Sequence, residues 1–225
     1  IVDSFVNTQQ EILATTAGNT SLQPESGDTK TFGVVWTSPF ESEYLSRLQV
    51  SADYYDIEIE DVIGTVGAAQ ILPKCFNQDG SNPGFSNANF FCSQISRDPA
   101  TGFIANVDQP TLNLGGYRTK GIDFQVDWAY GPFSVNTVAS WLDSFDVQLQ
   151  QGGNVLEYGG SVGTPSTTQP GSLPEWKAVT RLQYATPVVS AGVRWRYLDA
   201  MRHSSLVTNP NSTVPGVSAF NYLDL

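Results

Sequence analysis

The most regular hydrophobic pattern in the chain lies on both sides of a two-residue break at Gly131-Pro132. Before the break, apolar residues at even positions from 122 to 130 alternate with mostly polar residues at odd positions. After it the alternation continues over 133–150, with exceptions at Val138, Leu142 and Asp143. A period of two places successive side chains on opposite faces of a β-strand. The two segments therefore predict a long antiparallel hairpin with one apolar and one polar face.

Five further segments alternate in the same way, which gives about seven strands. One of them changes phase, because residues up to Tyr54 keep one phase whereas Ile57 and Ile59 keep the opposite one. This change predicts a bulge or twist near Tyr55. The seven segments span 29–39, 45–63, 121–130, 133–150, 175–184, 188–198 and 220–225.

The connections between these strands alternate in length. Those near Pro39, Gly131-Pro132 and Thr186-Pro187 are short, whereas residues 64–115, 151–173 and 203–218 form long polar loops. Short turns at one rim and long loops at the other, joined by strands with one apolar face, are typical of an outer-membrane β-barrel. Aromatic residues beside the short turns would form the belt at the periplasmic interface. These residues are Trp36, Phe40, Trp128, Tyr130, Phe133 and Tyr184.

A soluble β-sandwich also has strands with one wet face, and it is the alternative fold. Sandwich strands usually have about 5 or 6 residues, whereas the arms of the hairpin between 121 and 151 keep their alternation for most of their length. The prediction is therefore all-β: an antiparallel meander that forms part of a transmembrane barrel, in which lipid meets the apolar face and water meets the other.

Composition agrees with a folded chain and excludes some partners. The 225 residues are 40% hydrophobic and 15% charged, and the net charge of −11 leaves no basic stripe for nucleic acid. The sequence contains no run of 18 apolar residues that would predict a transmembrane helix. Because the chain starts without Met and stops at Leu225 in mid-pattern, we expect it to be a fragment.

Two cysteines, Cys75 and Cys92, lie in the first long loop. In an exported protein this spacing predicts a disulfide, which would contribute about 3 kcal/mol in the chain-entropy model. Free thiols are the alternative. The chain has one histidine, His203, and no zinc signature, so no metal site is predicted.

Carboxylates are concentrated between 53 and 61, where Asp56, Glu58 and Glu60 share one strand face. A glycosidase pair needs carboxyls that face each other across a sugar, and one strand does not supply this. We interpret the stripe as a solvated lumen or rim face, with a cation site as the alternative. No nucleophile elbow, P-loop or dinucleotide motif occurs, so neither catalysis nor a cofactor is predicted.

Several stretches, taken together, resemble the C-terminal barrel of TonB-dependent outer-membrane receptors. The phrase NxxLxPExxxTxxxG, which opens a strand in a large proteobacterial group of these receptors, is matched here from Asn19 to Gly33. The element TKGIDF, from Thr119 to Phe124, matches the return strand after a cysteine-containing loop. The stretches VSADYYDIEIEDVI, LPEWKAVTRLQY and VRWRYL follow the same order. The resemblance covers nearly the whole chain.

The resemblance implies a 22-stranded barrel in the bacterial outer membrane, closed by an N-terminal plug with a TonB box. Neither plug nor TonB box is present in these residues, so contact with the TonB complex would come through the absent N-terminal region. We expect residues 1–28 to be an extracellular loop that leads into the barrel. Residues 29–225 would form roughly the last third of the barrel without its final strands.

The function implied by the resemblance is TonB-dependent uptake of a scarce nutrient: a siderophore, cobalamin or an oligosaccharide. Candidate ligand contacts in the cysteine loop are Phe85, Asn87, Phe90 and Phe91, with loop packing as the alternative role. Arg194 and Arg196, beside Lys177 and Arg181, would face the lumen and guide an anionic ligand or balance Asp123, Asp127 and Asp146. A passive porin or structural barrel is the second hypothesis, which an upstream plug would exclude. A secreted carbohydrate-binding sandwich is the third, and it predicts folding in water without detergent.

Overall fold

The computed structural model describes residues 2–3, 8–9, 12–78, 80–148, 153–163 and 171–225. Of the predicted features, parts of the lead-in segment 1–28 and of the loop 151–173, and positions 149–150 of the second hairpin arm, lie outside the described residues. The strands are β1 (Val2–Asp3), β2 (Thr8–Gln9), β3 (Leu13–Ala17), β4 (Ser26–Thr37), β5 (Leu48–Glu60), β6 (Ile63–Thr65), β7 (Ile95–Arg97), β8 (Ile104–Asn113), β9 (Gly116–Tyr130), β10 (Phe133–Gln148), β11 (Val155–Glu157), β12 (Ser161–Val162), β13 (Ser172–Leu173), β14 (Trp176–Ala185), β15 (Ser190–Leu198), β16 (Arg202–His203) and β17 (Phe220–Asp224). The helices are α1 (Ala68–Cys75), α2 (Phe90–Ser93) and α3 (Ser205–Thr208).

The described residues fall into two compact units. The sheet unit comprises residues 26–60, 115–163 and the segment from 171 to the end of the chain. The loop unit comprises the residues up to Glu25, which precede β4, and the segment Asp61–Leu114, which lies between β5 and β9 in the sequence.

One large antiparallel sheet dominates the sheet unit. Its strands lie in the order β17-β15-β14-β10-β9-β5-β4, and β11 pairs with the far end of β10. The seven strands predicted from the alternation are therefore confirmed, and β10 reaches 16 residues. The hairpins β9–β10 and β14–β15 have turns of two and four residues, whereas residues 38–47 form a longer connection between β4 and β5.

The register sorts the side chains into two faces, because residues directly opposite each other in antiparallel strands point to the same side. The outer face carries rows such as Phe32, Tyr54, Ile122, Trp141 and Trp176. The inner face carries rows such as Gly33, Asp53, Asp123, Ser140 and Lys177. From Tyr130 to Ile122 the outer face of β9 is apolar over about 26 Å of strand. At the strand tilt of about 40° usual in outer-membrane barrels this covers about 20 Å of membrane height, most of their apolar band of about 25 Å.

The structure corrects the prediction of a bulge near Tyr55. The ladder from β5 to β9 continues without a register shift, with Tyr54 opposite Ile122, Asp56 opposite Lys120 and Glu58 opposite Arg118. The acidic stripe therefore lies on the same outer face as Tyr54, at the rim. Ile57 and Ile59 point inward because the alternation of side chains continues without a break. The carboxylates can point outward here because this end of β5 extends past the apolar band into water.

The bulge is instead in β10, between Leu142 and Ser144. It leaves Asp143 unpaired and shifts the sequence phase by one residue, so Phe145 and Val147 lie on the inner face although their spacing from Trp141 would place them outside. Asp146, which we expected among the lumen charges, consequently lies on the outer face opposite Arg118. The sequence exceptions at Leu142 and Asp143 mark this point.

Aromatic side chains cluster beside the short turns. The rings of Phe133 and Tyr184 are 5.0 Å apart, and Tyr44 stacks on Tyr130 at 4.5 Å. Trp128 Nε1 donates to the carbonyl of Tyr44 at 2.7 Å. Such amphipathic rings are typical of the interfacial belt of a membrane protein. Tyr44, which lies in the turn between β4 and β5, was not among the predicted members.

The loop unit has a core of its own, although the sequence predicts a long polar loop at 64–115. Ile71 in α1 and Val107 in β8 are fully buried, with Leu72, Phe91 and Leu114 around them. Strand β8 pairs with β3, β6 and β7. None of the helices within the described ranges is long and apolar enough to cross a membrane.

In the sheet unit, the segments after β10 and after β15 pair with each other. Strand β12 lies between β13 and β16, and Met201 bridges to Val217. Arg202 pairs with Glu157 at 3.0 Å, and Tyr158 is buried. Burial raises the pKa of the Tyr158 hydroxyl to about 12. The two loops therefore form one packed substructure.

Candidate ligand-path surface on the inner face

Four cationic side chains lie together on the inner face of β14 and β15. Arg181 is directly opposite Arg194, Arg196 is opposite Val179, and Lys177 is opposite Leu198. Alternation along the two strands places all four on one side, because Lys177 and Arg181 are four positions apart and Arg194 and Arg196 are two positions apart. We call Lys177, Arg181, Arg194 and Arg196 the basic strip.

Asp224 in β17 is the carboxylate that pairs with this strip. Arg194 Nε donates to Asp224 Oδ2 at 2.8 Å, and Arg196 Nη2 lies 3.1 Å from the same oxygen. The sequence suggested Asp123, Asp127 and Asp146 as balancing carboxylates. Asp146 lies on the outer face instead, and among the described residues Asp123 and Asp127 face the lumen without a direct ion pair to the strip. The three carboxylates belong to β9 and β10, whereas β17 is the strand that pairs with β15.

The other half of the strip keeps an excess of positive charge. Within the described part of the chain, Lys177 and Arg181 have no acidic partner within 4.0 Å. Arg181 and Arg194 face each other directly across β14 and β15, and like charges in that position destabilise a sheet. The strip is therefore a feature that costs stability in the isolated sheet and attracts anions.

Acidic residues occupy the inner face of the neighbouring strands β5 and β9. Asp127 accepts hydrogen bonds from Asn136 Nδ2 and Gln125 Nε2, each at 2.6 Å, and Asp123 accepts one from the Ser140 hydroxyl. The hydrogen-bond donors to these two carboxylates are therefore neutral side chains and not arginines. The inner face is thus divided into an acidic side on β5 and β9 and a basic side on β14 and β15.

A depression of about 780 Å³ lies at the boundary between the two sides. Its apolar lining includes Val138, Val179 and Phe220, and its charged members are Asp123, Lys177 and Arg196. The Arg196 guanidinium also lies over the Tyr222 ring, 4.4 Å from its centroid. A cavity of this size, apolar with a few charged groups, suits a small organic ligand.

A second depression of about 580 Å³ lies on the inner face nearer the short turns. Arg181, Asp127 and Asn136 line it, together with Arg47. Arg47 lies in the β4–β5 turn and did not stand out in the sequence. Basic groups therefore continue along the inner face from Lys177 toward the rim with the short turns.

The disulfide loop in the loop unit holds the other candidate residues. Cys75 and Cys92 are bonded to each other and tie α1 to α2. Asn82 is buried and donates to the carbonyl of Cys75 at 2.9 Å, while Asn89 caps α2 by accepting from the Phe91 amide at 2.9 Å. These contacts make the loop an ordered scaffold.

The four predicted ligand contacts in this loop divide into two groups. Phe91 is only 7% exposed and packs in the core beneath Lys74, so the structure gives it a packing role in place of ligand contact. Phe90 packs edge-on against Phe91 and is half-buried. Phe85, which is 59% exposed, and Asn87 face solvent. Asn87 lines a depression of about 530 Å³ beside the disulfide, with Ser93 and Gly102.

The remaining candidates for chemistry are held by neighbouring residues. His203 Nδ1 lies 2.9 Å from the Ser205 hydroxyl, which is a local contact in a loop. Asp56 accepts from Arg118 Nε at 2.9 Å and from Arg118 Nη2 at 2.8 Å. Among the residues that the structure describes, no group of three or more His, Cys, Asp or Glu is placed to hold a metal ion.

Comparisons with known proteins agree with this geometry. The family described as TonB dependent receptor-like, beta-barrel matches residues 3–225. No curated protein matches the chain. Among solved structures, the siderophore receptor PirA from Acinetobacter baumannii is 14% identical, with a TM-score of 0.51 over 92% of this chain and 26% of that chain. A mutant of the ferric enterobactin receptor PfeA from Pseudomonas aeruginosa is 9% identical, with a TM-score of 0.55 over 92% and 24%.

The FrpB iron transporter from Neisseria meningitidis is similar in the same way, at 9% identity and a TM-score of 0.53, over 92% of this chain and 25% of that one. The chain thus spans about a quarter of the length of the receptors whose fold it shares. A water-soluble sandwich does not fit this family or the apolar outer band. The chain belongs to the TonB-dependent receptor-like β-barrel family, whose members are outer-membrane proteins of Gram-negative bacteria.

Proposed function

We propose that this chain is part of a receptor that takes up a small anionic nutrient across the outer membrane, driven by the TonB complex. The basic strip is the observation that carries this proposal. Four cations lie together there and one carboxylate, Asp224, forms ion pairs with two of them, in a chain whose net charge is −11. A local positive field in an acidic protein concentrates anions along one path.

The form of the inner face supports an organic ligand. The 780 Å³ depression joins an apolar surface at Val138 and Val179 to the charges of Lys177 and Arg196. A ligand with an aromatic or aliphatic part and an anionic group would match both. Metal chelates of siderophores have this character, and they are our preferred class over cobalamin and neutral oligosaccharides. The names of the similar structures, which include siderophore and iron transport, agree with this preference, although at 9–14% identity their likeness carries the fold alone.

The exposed part of the disulfide loop would make the first contact with ligand. Phe85 has a positive φ of 47°, which an ordered loop must maintain, and its ring is open to solvent. Asn87 adds an amide beside it, and Phe90 offers a partly exposed edge. Aromatic rings and amides can stack on and hydrogen-bond to a planar chelate. Coupling to TonB would come from parts of the receptor outside these residues.

Uptake by the complete protein that carries this chain tests the proposal. The variant Lys177→Gln with Arg181→Gln removes two unpaired cations from the inner face, and the matched control Lys30→Gln with Lys120→Gln removes two from the outer face. With an anionic ferric tricatecholate as the probe, we expect the inner variant to lower uptake at subsaturating concentration by roughly tenfold, and more at low salt. A neutral ferric trihydroxamate should be affected less.

Equal uptake of the anionic probe by the inner variant and the control would contradict the role of the basic strip. A protonophore separates the energised receptor from a passive porin, because it should abolish uptake in the first case and leave it unchanged in the second.

A further inference from the structure

One buried side chain, Asn82, holds the middle of the loop between α1 and α2. Asn82 is only 4% exposed. Its Nδ2 donates to the carbonyl of Cys75, at the end of α1, at 2.9 Å and to the carbonyl of Ser86 at 3.2 Å. Its Oδ1 accepts from the Ser86 amide at 2.9 Å. The amide group therefore uses both its donor and its acceptor atoms to tie Ser86 to the end of α1.

The backbone of Asn82 closes the turn that carries Phe85. The Asn82 carbonyl accepts from the Phe85 amide at 2.9 Å, which makes a β-turn with Pro83 and Gly84 at its centre. Phe85 has a φ of 47°, a conformation that residues other than glycine adopt at a cost in free energy. Because Asn82 bonds to the residue at this strained position and to the residue after it, it maintains the conformation of Phe85.

The disulfide acts at the two ends of the same loop. Cys75 lies in α1 and Cys92 in α2, 17 positions apart. Phe85 is ten residues after the first cysteine and seven before the second. A cross-link constrains the unfolded chain and limits the span of the loop, but it does not fix a residue in the middle. The disulfide therefore stabilises the loop unit, whereas Asn82 sets the position of Phe85.

From these contacts we infer that Asn82 is a positioning residue for ligand capture, which presents the exposed ring of Phe85 and the neighbouring amide of Asn87 in a fixed place. The inference rests on the proposed function for the ligand contact and on the loop geometry for the positioning. A loop that is ordered before the ligand arrives spares the entropy cost of ordering it on binding. Loss of the Asn82 side chain should therefore weaken capture and leave the rate of transport at saturation unchanged.

The concentration dependence of ferric tricatecholate uptake by the complete protein tests the role in capture. Asn82→Ala should raise the half-saturating concentration roughly tenfold, which corresponds to the cost of ordering one or two side chains, at an unchanged maximal rate per receptor. Asn106→Ala is the matched control in the same unit, because Asn106 Nδ2 bonds to Thr15 and Asp108 outside this loop. Cys75→Ala with Cys92→Ala should lower the midpoint of thermal unfolding and leave the half-saturating concentration unchanged.

A double-mutant cycle shows whether Asn82 acts through Phe85. Phe85→Ala should weaken capture as much as Asn82→Ala, and the double variant should be no worse than either single one, because residues that act as a unit are not additive. Losses that multiply in the double variant would overturn the inference. An unchanged half-saturating concentration in Phe85→Ala would contradict the proposed ligand contact and, with it, the role in capture.

Amide hydrogen exchange of the purified protein tests the positioning without a ligand. In Asn82→Ala the amides of Phe85 and Ser86 should exchange faster, while exchange in α1 and in the large sheet stays as in the wild type and shows that the variant is folded. In the disulfide variant these two amides should keep their protection. Unchanged exchange in Asn82→Ala, or equally fast exchange in the disulfide variant, would overturn the positioning role itself.

Discussion

At the scale of single residues, Gly121 shows how closely the inner face of the sheet is packed. It lies between β5 and β10, where a Cβ atom would come closer than 3.0 Å to the Trp141 carbonyl oxygen and to the Tyr55 hydroxyl. One of these atoms belongs to the backbone and cannot move away cheaply. The glycine therefore permits the close approach of the ring of Tyr55 to the hairpin β9–β10.

We expect Gly121→Ala to destabilise the barrel by about 1–3 kcal/mol, because the added methyl group overpacks the site. Gly27→Ala is the matched control, since Gly27 also lies in a strand and its Cβ would have the Glu58 carbonyl oxygen at 3.8 Å as its neighbour. Urea unfolding of the complete protein in detergent measures both. Equal midpoints for the two variants would show that Tyr55 moves away at no cost.

Two features at the residue scale were not predicted correctly from the sequence: the path of β5 near Tyr55 and the ion-pair partner of Arg194 and Arg196. The sequence suggested a bulge near Tyr55, because the apolar residues Ile57 and Ile59 have the opposite phase to Tyr54. The alternative, a strand that extends beyond the hydrocarbon, becomes apparent when Lys120 and Arg118 lie opposite the stripe. Asp224 as the partner of Arg194 and Arg196 could not be predicted, because the register between β15 and β17 is not encoded in either segment alone.

At the scale of elements, the bulge in β10 decides which face the end of the strand presents. Asp143 is the extra residue, so Leu142 stays opposite Gly121 while Ser144 is opposite Lys120. Removing Asp143 would leave Ser144 directly after Leu142 in a regular ladder. Ser144 and the residues after it would keep the faces that they have now. Removing a paired residue would instead turn every later side chain to the other face.

Deletion of Asp143 is therefore expected to be tolerated, whereas deletion of Ala139, which pairs with Phe124, is expected to prevent assembly. The amount of folded, heat-modifiable protein in outer membranes measures the difference. Assembly that fails for both deletions, or succeeds for both, would contradict a bulge at this position.

The elements that the sequence predicted well are those with strict period two and clear turn residues, such as β9 and β10. The loop unit was not predicted, because α1 has eight residues with Pro73 inside and its buried positions Ile71, Leu72 and Cys75 are too few to establish a helical period. Strands β6 and β7 have three residues each. Such short elements are ordered by mutual packing and by the bond between Cys75 and Cys92.

At the scale of the whole molecule, the two faces of the sheet meet different solvents. The outer face combines an apolar band with aromatic residues at both of its edges, for example Tyr130 and Phe133 at one and Trp141 and Trp176 at the other. The inner face carries charges throughout the same height. This asymmetry is the physical basis for placing the chain in a membrane, and it underlies the ligand path on the inner face.

Site-directed spin labelling along β9 tests this claim most directly. Single cysteines would be introduced from 118 to 128, without Gly121, in the complete protein in bilayers, with Cys75 and Cys92 kept in their disulfide. Oxygen collisions should peak at 122, 124, 126 and 128, and collisions with a water-soluble nickel chelate at 123, 125 and 127. The labels at 118 and 120 should contact the chelate although they share the outer face. The reverse phase, no period of two, or oxygen maxima at 118 and 120 would contradict the account.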